Sequence, residues 1–152
     1  MNNIKIIAPF IIFGILIISK FRKRKIKQIT LQQLVGNTPL IYLKALSKKT
    51  GVDIYAKCEF LNPCGSMKDR VALALLNNRT SNIIYEGTSG STGISLALLG
   101  NSLGCTTKLF MPDDMADEKY ALIEKVGASI RKVRPVSIVD SEHYCKLAQR
   151  EA

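Results

Sequence analysis

The sequence predicts an α/β protein, a doubly wound parallel sheet preceded by one N-terminal membrane-anchor helix. Three observations lead there. From Asn82 onward short apolar runs alternate with helix-length segments, the runs end at glycine or polar turn residues, and Ile6 to Ile18 carries no charged or hydrogen-bonding side chain. The 152 residues are 47% hydrophobic and 22% charged, which fits one modest domain with an appendage and excludes a disordered tail or a disulfide scaffold.

The appendage is residues 1–27 and the globular part is 28–152. Thirteen apolar residues of helix rise about 20 Å, short of a hydrocarbon core of about 30 Å, and snorkelling of Lys5 and Lys20 extends the reach. Lys20, Arg22, Lys23, Arg24, Lys25 and Lys27 follow the run, and no small-residue cleavage site does, so the expectation is an uncleaved anchor. A buried core helix is the alternative, but such a helix seldom ends in so dense a basic run. The positive-inside rule then puts the globular part in the cytosol. The net charge of +10 has the same origin: the first 27 residues hold basic residues and no acid, whereas the remainder is nearly balanced. No basic stripe interleaves with aromatics, and nucleic-acid binding is not expected.

Asn82 to Glu86 reads as a buried strand, Thr92 to Leu103 as a helix and Thr106 to Met111 as a strand, together one βαβ unit. A helix over Ala116 to Val126 ends at Gly127, Ala128 to Val133 reads as another strand, and Ser141 to Ala152 as a helix. Upstream, Leu40 to Leu43 and Asp53 to Glu59 read as short strands around a polar Lys44 to Gly51 stretch, and Asp69 to Asn77 as a helix. Cys58, Cys64, Cys105 and Cys145 are scattered, without metal-ligand or disulfide spacing, so no metal site is expected and a reducing compartment is. His143, the only histidine, is expected at the surface.

Two segments carry chemistry. In Asn62-Pro63-Cys64-Gly65-Ser66-Met67-Lys68-Asp69-Arg70 a loop closes into a helix with Lys68 at its first turn, where the helix field disfavours an ammonium and favours the neutral amine that a nucleophile needs. Read alone, Lys68 is an ordinary solvated surface lysine. Glu86-Gly87-Thr88-Ser89-Gly90-Ser91-Thr92-Gly93 joins a strand to a helix, the place where open α/β sheets bind ligands, and its amides and hydroxyls can hold an anion. It lacks a P-loop lysine and the dinucleotide glycine pattern, which disfavours ATP and NAD. A plain glycine-rich turn with Ser and Thr as helix caps is the other reading.

Val35-Gly36-Asn37-Thr38-Pro39-Leu40, then Asn62 to Arg70, then Thr88 to Gly93, then Met111-Pro112, Met115, Glu118-Lys119 and Gly127-Ala128 stand in one order over about residues 30 to 150. In this the chain resembles the fold type II enzymes that use pyridoxal 5'-phosphate (PLP), the cysteine synthase and cystathionine beta-synthase family. With its hydrophobic anchor it is similar to fungal cysteine-synthase-like proteins of the mitochondrial outer membrane. The resemblance implies that Lys68 carries PLP and serves as the base for the substrate's alpha proton, and that Thr88, Ser89, Gly90, Ser91 and Thr92 grip the substrate carboxylate. Ser91 stands where the family usually has an Asn that contacts the cofactor. The implied reaction replaces the acetate of O-acetylserine with sulfide to give cysteine. The implied partners are a small amino acid, sulfide and, for the full family fold, a second subunit. The implied location is the mitochondrial outer membrane facing the cytosol, with the endoplasmic reticulum membrane as the alternative.

Two further departures accompany that of Ser91. The segment from Arg70 to Ile83 is shorter than the family's, so Asn77 to Ser81 must turn abruptly. The family's phosphate loop and pyridine-nitrogen partner lie further downstream, and no glycine follows Gly127, so the chain is expected to end inside the family fold and to be inactive alone. The competing expectations are a non-catalytic, membrane-tethered fragment or remnant and, within the enzyme class, a dehydratase or cystathionine synthase, because these motifs do not encode the second substrate.

Overall fold

The computed structural model describes residues 28–152. Strands β1 (Leu40–Tyr42) and β2 (Tyr55–Lys57) pair antiparallel, with Tyr42 opposite Tyr55 and their rings 5.2 Å apart. Between them the polar stretch folds as helix α1 (Lys44–Thr50), where the sequence reading placed no helix. Seven residues are too few for a periodic apolar stripe to declare itself. The helix closes at Gly51, whose φ of 76° is the left-handed turn that favours glycine, and its N–H donates to the Ser47 carbonyl. Ser47, buried, accepts the Ile54 N–H at 2.9 Å and so ties α1 to the chain entering β2.

The parallel sheet is three-stranded, in the order β3 (Ile83–Gly87), β4 (Thr106–Pro112) and β5 (Ala128–Val133). Helix α2 (Lys68–Asn77) precedes it, α3 (Ser91–Ser102) crosses from β3 to β4, α4 (Asp117–Lys125) crosses from β4 to β5, and α5 (Tyr144–Glu151) follows. Side chains alternate across β4, and the two faces are covered by different helices. Leu109 and Met111 are buried with Ala97 of α3 and with Tyr120 and Ile123 of α4. Phe110 points the other way, beneath the Arg131 guanidinium, which pairs with Glu151 of α5. The sheet is therefore doubly wound. A second core cluster, Ala72, Leu76, Leu96, Leu99 and Cys105, seals α2 against α3.

Four expectations are corrected. The run at β3 is an edge strand rather than a buried one, with Ile83 46% exposed, since only β4 has a neighbour on each side. An apolar run bounded by turns does not reveal how many strands flank it. His143 is buried, at 6% exposure, because its ring caps α5: Nδ1 accepts the Cys145 N–H at 3.3 Å. An imidazole in place of the usual Ser, Thr, Asp or Asn hid that cap, and α5 begins at Tyr144 rather than Ser141. The helix between β3 and β4 begins at Ser91 rather than Thr92.

The short connection after α2 closes without disturbing its helix. Asn78 Nδ2 donates to the Ala74 carbonyl at 2.8 Å, Arg79 Nη1 to the Leu76 carbonyl at 2.6 Å, and Ser81 Oγ accepts the Ile83 N–H at 3.0 Å. No helix of the described residues is long and apolar enough to cross a membrane, and the apolar run at residues 6–18 lies outside them.

Candidate active site

Lys68 is the first residue of α2 and is half-buried. Its N–H donates to Ser66 Oγ at 3.1 Å, and Gly65, at φ 71°, closes the turn with its N–H on the Asn62 carbonyl at 2.8 Å. Asn62 is buried and uses both ends of its amide. Oδ1 accepts the Gly36 N–H at 2.8 Å, while Nδ2 donates to the Glu59 carbonyl and to Glu59 Oε2, both at 2.9 Å. Arg70 grips the same carboxylate with two bonds, Nε to Oε2 at 2.8 Å and Nη2 to Oε1 at 2.9 Å, and reaches Thr38 Oγ1 at 3.1 Å. Thr38 Oγ in turn donates to Glu59 Oε1 at 2.6 Å. The segments around Gly36 to Pro39 and Asn62 to Arg70, separate in sequence, are therefore one hydrogen-bonded unit with Glu59 at its centre.

The bidentate guanidinium, followed by the Thr38 hydroxyl, holds the Glu59 carboxyl down at about 2, and Glu59 raises Arg70 in return. The sequence reading passed over Glu59. The available signal was an acid three residues ahead of the Asn62 turn and an arginine directly after Lys68-Asp69, opposite charges bracketing one loop.

Asp69 is fully buried. Its Oδ2 accepts the Cys64 N–H at 2.7 Å and its Oδ1 accepts the Ser95 hydroxyl at 2.6 Å; Ser95 Oγ also lies 3.0 Å from the Ser91 carbonyl. Burial first, and then the neighbouring Asp69 carboxylate, push the Cys64 thiol up to about 12, which makes it an unreactive thiol rather than a nucleophile.

The second motif leaves the C-terminal end of β3 and enters α3. Thr88 is buried and its N–H donates to the Phe110 carbonyl at 3.0 Å, extending the β3–β4 ladder by one bond. The Gly90 N–H reaches Thr88 Oγ1 only at 3.4 Å, and the Gly93 N–H donates to the Gly90 carbonyl at 3.0 Å. Ser89 and Ser91 are exposed and Thr92 is half-buried; among the described residues their three hydroxyls make no hydrogen bond. Gly93 is required by close packing, since a Cβ there would stand 2.8 Å from Thr88 Cγ2 and 3.1 Å from Leu109 Cδ1. Just before the loop, a Cβ on Gly87 would collide with the α5 backbone at Cys145. Burial raises Glu86, and burial together with Glu86 raises the Cys145 thiol, whose Sγ lies 3.4 Å from the Gly87 carbonyl.

The fold thus brings Lys68 and the Thr88 to Thr92 loop onto two packed helices, α2 and α3, joined through Asp69 and Ser95. The donor set suits PLP: a half-buried primary amine for an aldehyde carbon and, at the start of the adjoining helix, hydroxyls and amides that can hold an anion.

The profile of the family described as "Pyridoxal-phosphate dependent enzyme" matches residues 31–152. A Saccharomyces cerevisiae protein named "Putative mitochondrial cysteine synthase" is 46% identical over 128 residues, 78% of this chain and 33% of that protein. Cysteine synthase 2 of Schizosaccharomyces pombe is 46% identical over 128 residues, 78% of this chain and 32% of that protein. The chain spans about one third of the length of these relatives. The crystal structure of O-ureido-L-serine synthase superimposes with a TM-score of 0.70 at 26% identity, covering 82% of this chain and 42% of that one.

Proposed function

Because the chain belongs to the family of pyridoxal-phosphate dependent enzymes, we propose that it forms the lysine-bearing and carboxylate-binding part of a PLP-dependent cysteine synthase. The reaction replaces the acetate of O-acetylserine with sulfide, giving cysteine and acetate. The observation that carries this reading is the junction of the two motifs, in which the residue after Lys68 is hydrogen-bonded to Ser95, one turn from Ser91. The names of the cysteine synthases at 44–46% identity support the choice of reaction over a dehydratase or cystathionine synthase.

In this reading Lys68 Nζ would hold the cofactor and, as the free amine once the substrate amine had taken its place, would serve as the base for the substrate's Cα proton. The hydroxyls of Thr88, Ser89, Ser91 and Thr92 and the amide of Gly90 would hold the substrate carboxylate, and Ser91 would also help to hold the cofactor. PLP, when bound, supplies the electron sink that makes Cα acidic. The protein's part is to fix the carboxylate, and with it the Cα–H direction, relative to Lys68 Nζ. Incubation with PLP, borohydride reduction and peptide mapping test this: the label is expected on Lys68, and a label on some other lysine overturns the assignment.

We further propose that residues 1–27 anchor the protein in the mitochondrial outer membrane with residues 28–152 facing the cytosol. The apolar run bounded by basic residues supports the anchor and its orientation, and the name of the Saccharomyces cerevisiae relative supports mitochondria as the organelle. Retention of the protein in the membrane pellet after alkaline carbonate, lost on deletion of residues 1–27, is the expected result. Co-purification with endoplasmic reticulum, or release by carbonate without the deletion, would refute it. A homodimer is proposed for the complete family fold.

A further inference from the structure

We propose that Asp69 is the positioning residue of this site: its carboxylate joins the loop that carries Lys68 to the helix that carries the Thr88 to Thr92 loop, and so sets the spacing between amine and carboxylate sites. The proposal rests on the reading of Lys68 and Thr88 to Thr92 given above.

Among the described residues Asp69 is the only Asp, Glu, Lys or Arg that is buried, and it forms no salt bridge with a cation. A carboxylate removed from water in that way is costly unless hydrogen bonds compensate it. At the second position of α2 an acidic side chain would ordinarily remain in solvent and gain from the helix field alone. Asp69 instead sends one oxygen to the lysine loop and the other to helix α3. Oδ2 takes the Cys64 N–H, four residues before Lys68, and Oδ1 takes the Ser95 hydroxyl, four residues after Ser91. The carboxylate is a rigid planar group, so the two bonds fix a distance as well as an attachment. With its proton on Asp69, Ser95 Oγ also lies 3.0 Å from the carbonyl of Ser91, the first residue of α3.

Chemistry separates this role from simple burial. In Asp69→Asn the amide oxygen can still accept the Cys64 N–H and the amide nitrogen can donate to Ser95 Oγ, whose own proton then turns to the Ser91 carbonyl. The link survives with one bond reversed. In Asp69→Ala both bonds are lost. In Ser95→Ala only the α3 end is lost.

Amide hydrogen exchange of the full chain, without cofactor, reads the link directly. Ser95→Ala is expected to speed exchange of the Cys64 N–H, on the other motif, by about tenfold, the scale of one charge-assisted hydrogen bond. Asp69→Ala should do so at Cys64 and also across Gly90 to Thr92. Asp69→Asn should stay within about threefold of the wild type at both places, as a preserved link requires. Leu109 and Met111 in β4 are the internal reference. An unchanged Cys64 rate in Ser95→Ala, or acceleration of Cys64 by no more than the factor seen at Leu109 and Met111, overturns the proposal. Should Asp69→Ala fail to fold, Ser95→Ala and Asp69→Asn still decide it.

A second arm uses PLP and borohydride trapping, in which the share of label on Lys68 should fall in Asp69→Ala and be retained in Asp69→Asn. If wild type shows no preference for Lys68, the functional reading of the lysine fails, while the exchange data still judge the link.

Discussion

Between Asn62 and Arg70 the polar groups are committed to one another: the Asn62 amide spans Gly36 and Glu59, Arg70 grips Glu59 with two bonds, and Asp69 holds the Cys64 amide. Between Thr88 and Thr92 the position is reversed. The main chain is fixed by the β3–β4 ladder and by close packing at Gly87 and Gly93, while the hydroxyls of Ser89, Ser91 and Thr92 are uncommitted among the described residues. The first loop uses its own side chains to hold one lysine at a helix start. The second uses the backbone for shape and leaves its side chains free, as the carboxylate site proposed for it requires. A site that binds an anion needs such donors, whereas a covalently attached group needs its lysine pre-aimed.

The contrast can be broken most directly at Asn62. Asn62→Ala leaves the Gly36 N–H without its acceptor and removes two bonds to Glu59, and a loss of about 3 kcal/mol in denaturant-derived stability is expected. A loss below about 1 kcal/mol would show that the lysine loop is held by something other than its polar groups. Next in size is Gly93→Ala. The added methyl must displace Thr88 Cγ2 and Leu109 Cδ1, at a cost of about 1–3 kcal/mol, and it should perturb the amide resonances of Thr88 to Thr92 more than those of Cys64.

The Glu59 prediction concerns pH. Its carboxyl is held at about 2 in the fold against an ordinary 4.5, so its contribution is complete above about pH 4.5 and is lost as pH falls through about 2. Followed by circular dichroism, Glu59→Gln should lower stability at pH 7 and flatten the fall between pH 4.5 and 2; an acid transition as steep as wild type would remove Glu59 from the account. Ser89→Ala and Thr92→Ala should change stability by no more than about 0.5 kcal/mol, since neither hydroxyl has a partner to lose among the described residues, yet should weaken the response of the loop resonances to O-acetylserine. A clear stability loss in either would mean that the loop's hydroxyls support the fold.

Much of this was legible in the chain itself. The strand-helix alternation from Asn82 placed β3, α3, β4, α4 and β5 to within a residue or two at each end, because periodicity and glycine punctuation are local properties. The motifs around Lys68 and Thr88 were legible for the same reason: a turn running into a helix start is written in consecutive residues. Helix α1 was not, being too short for its pattern to rise above its polar composition.

Readable from the residues alone were the α/β class, the order of the elements from Asn82 onward and the two loop-to-helix segments proposed to carry the chemistry. Only the tertiary structure decided that Glu59 lies at the centre of a unit reaching from Thr38 to Arg70, that β3 is an edge, that His143 is buried as a cap, and that Asp69 meets Ser95 across 26 positions. Each of these depends on which distant groups share a place where water is excluded. A buried polar atom then takes whatever partner the packing of α2 on α3, or of α5 on the sheet, brings within about 3 Å, and no local pattern encodes that choice.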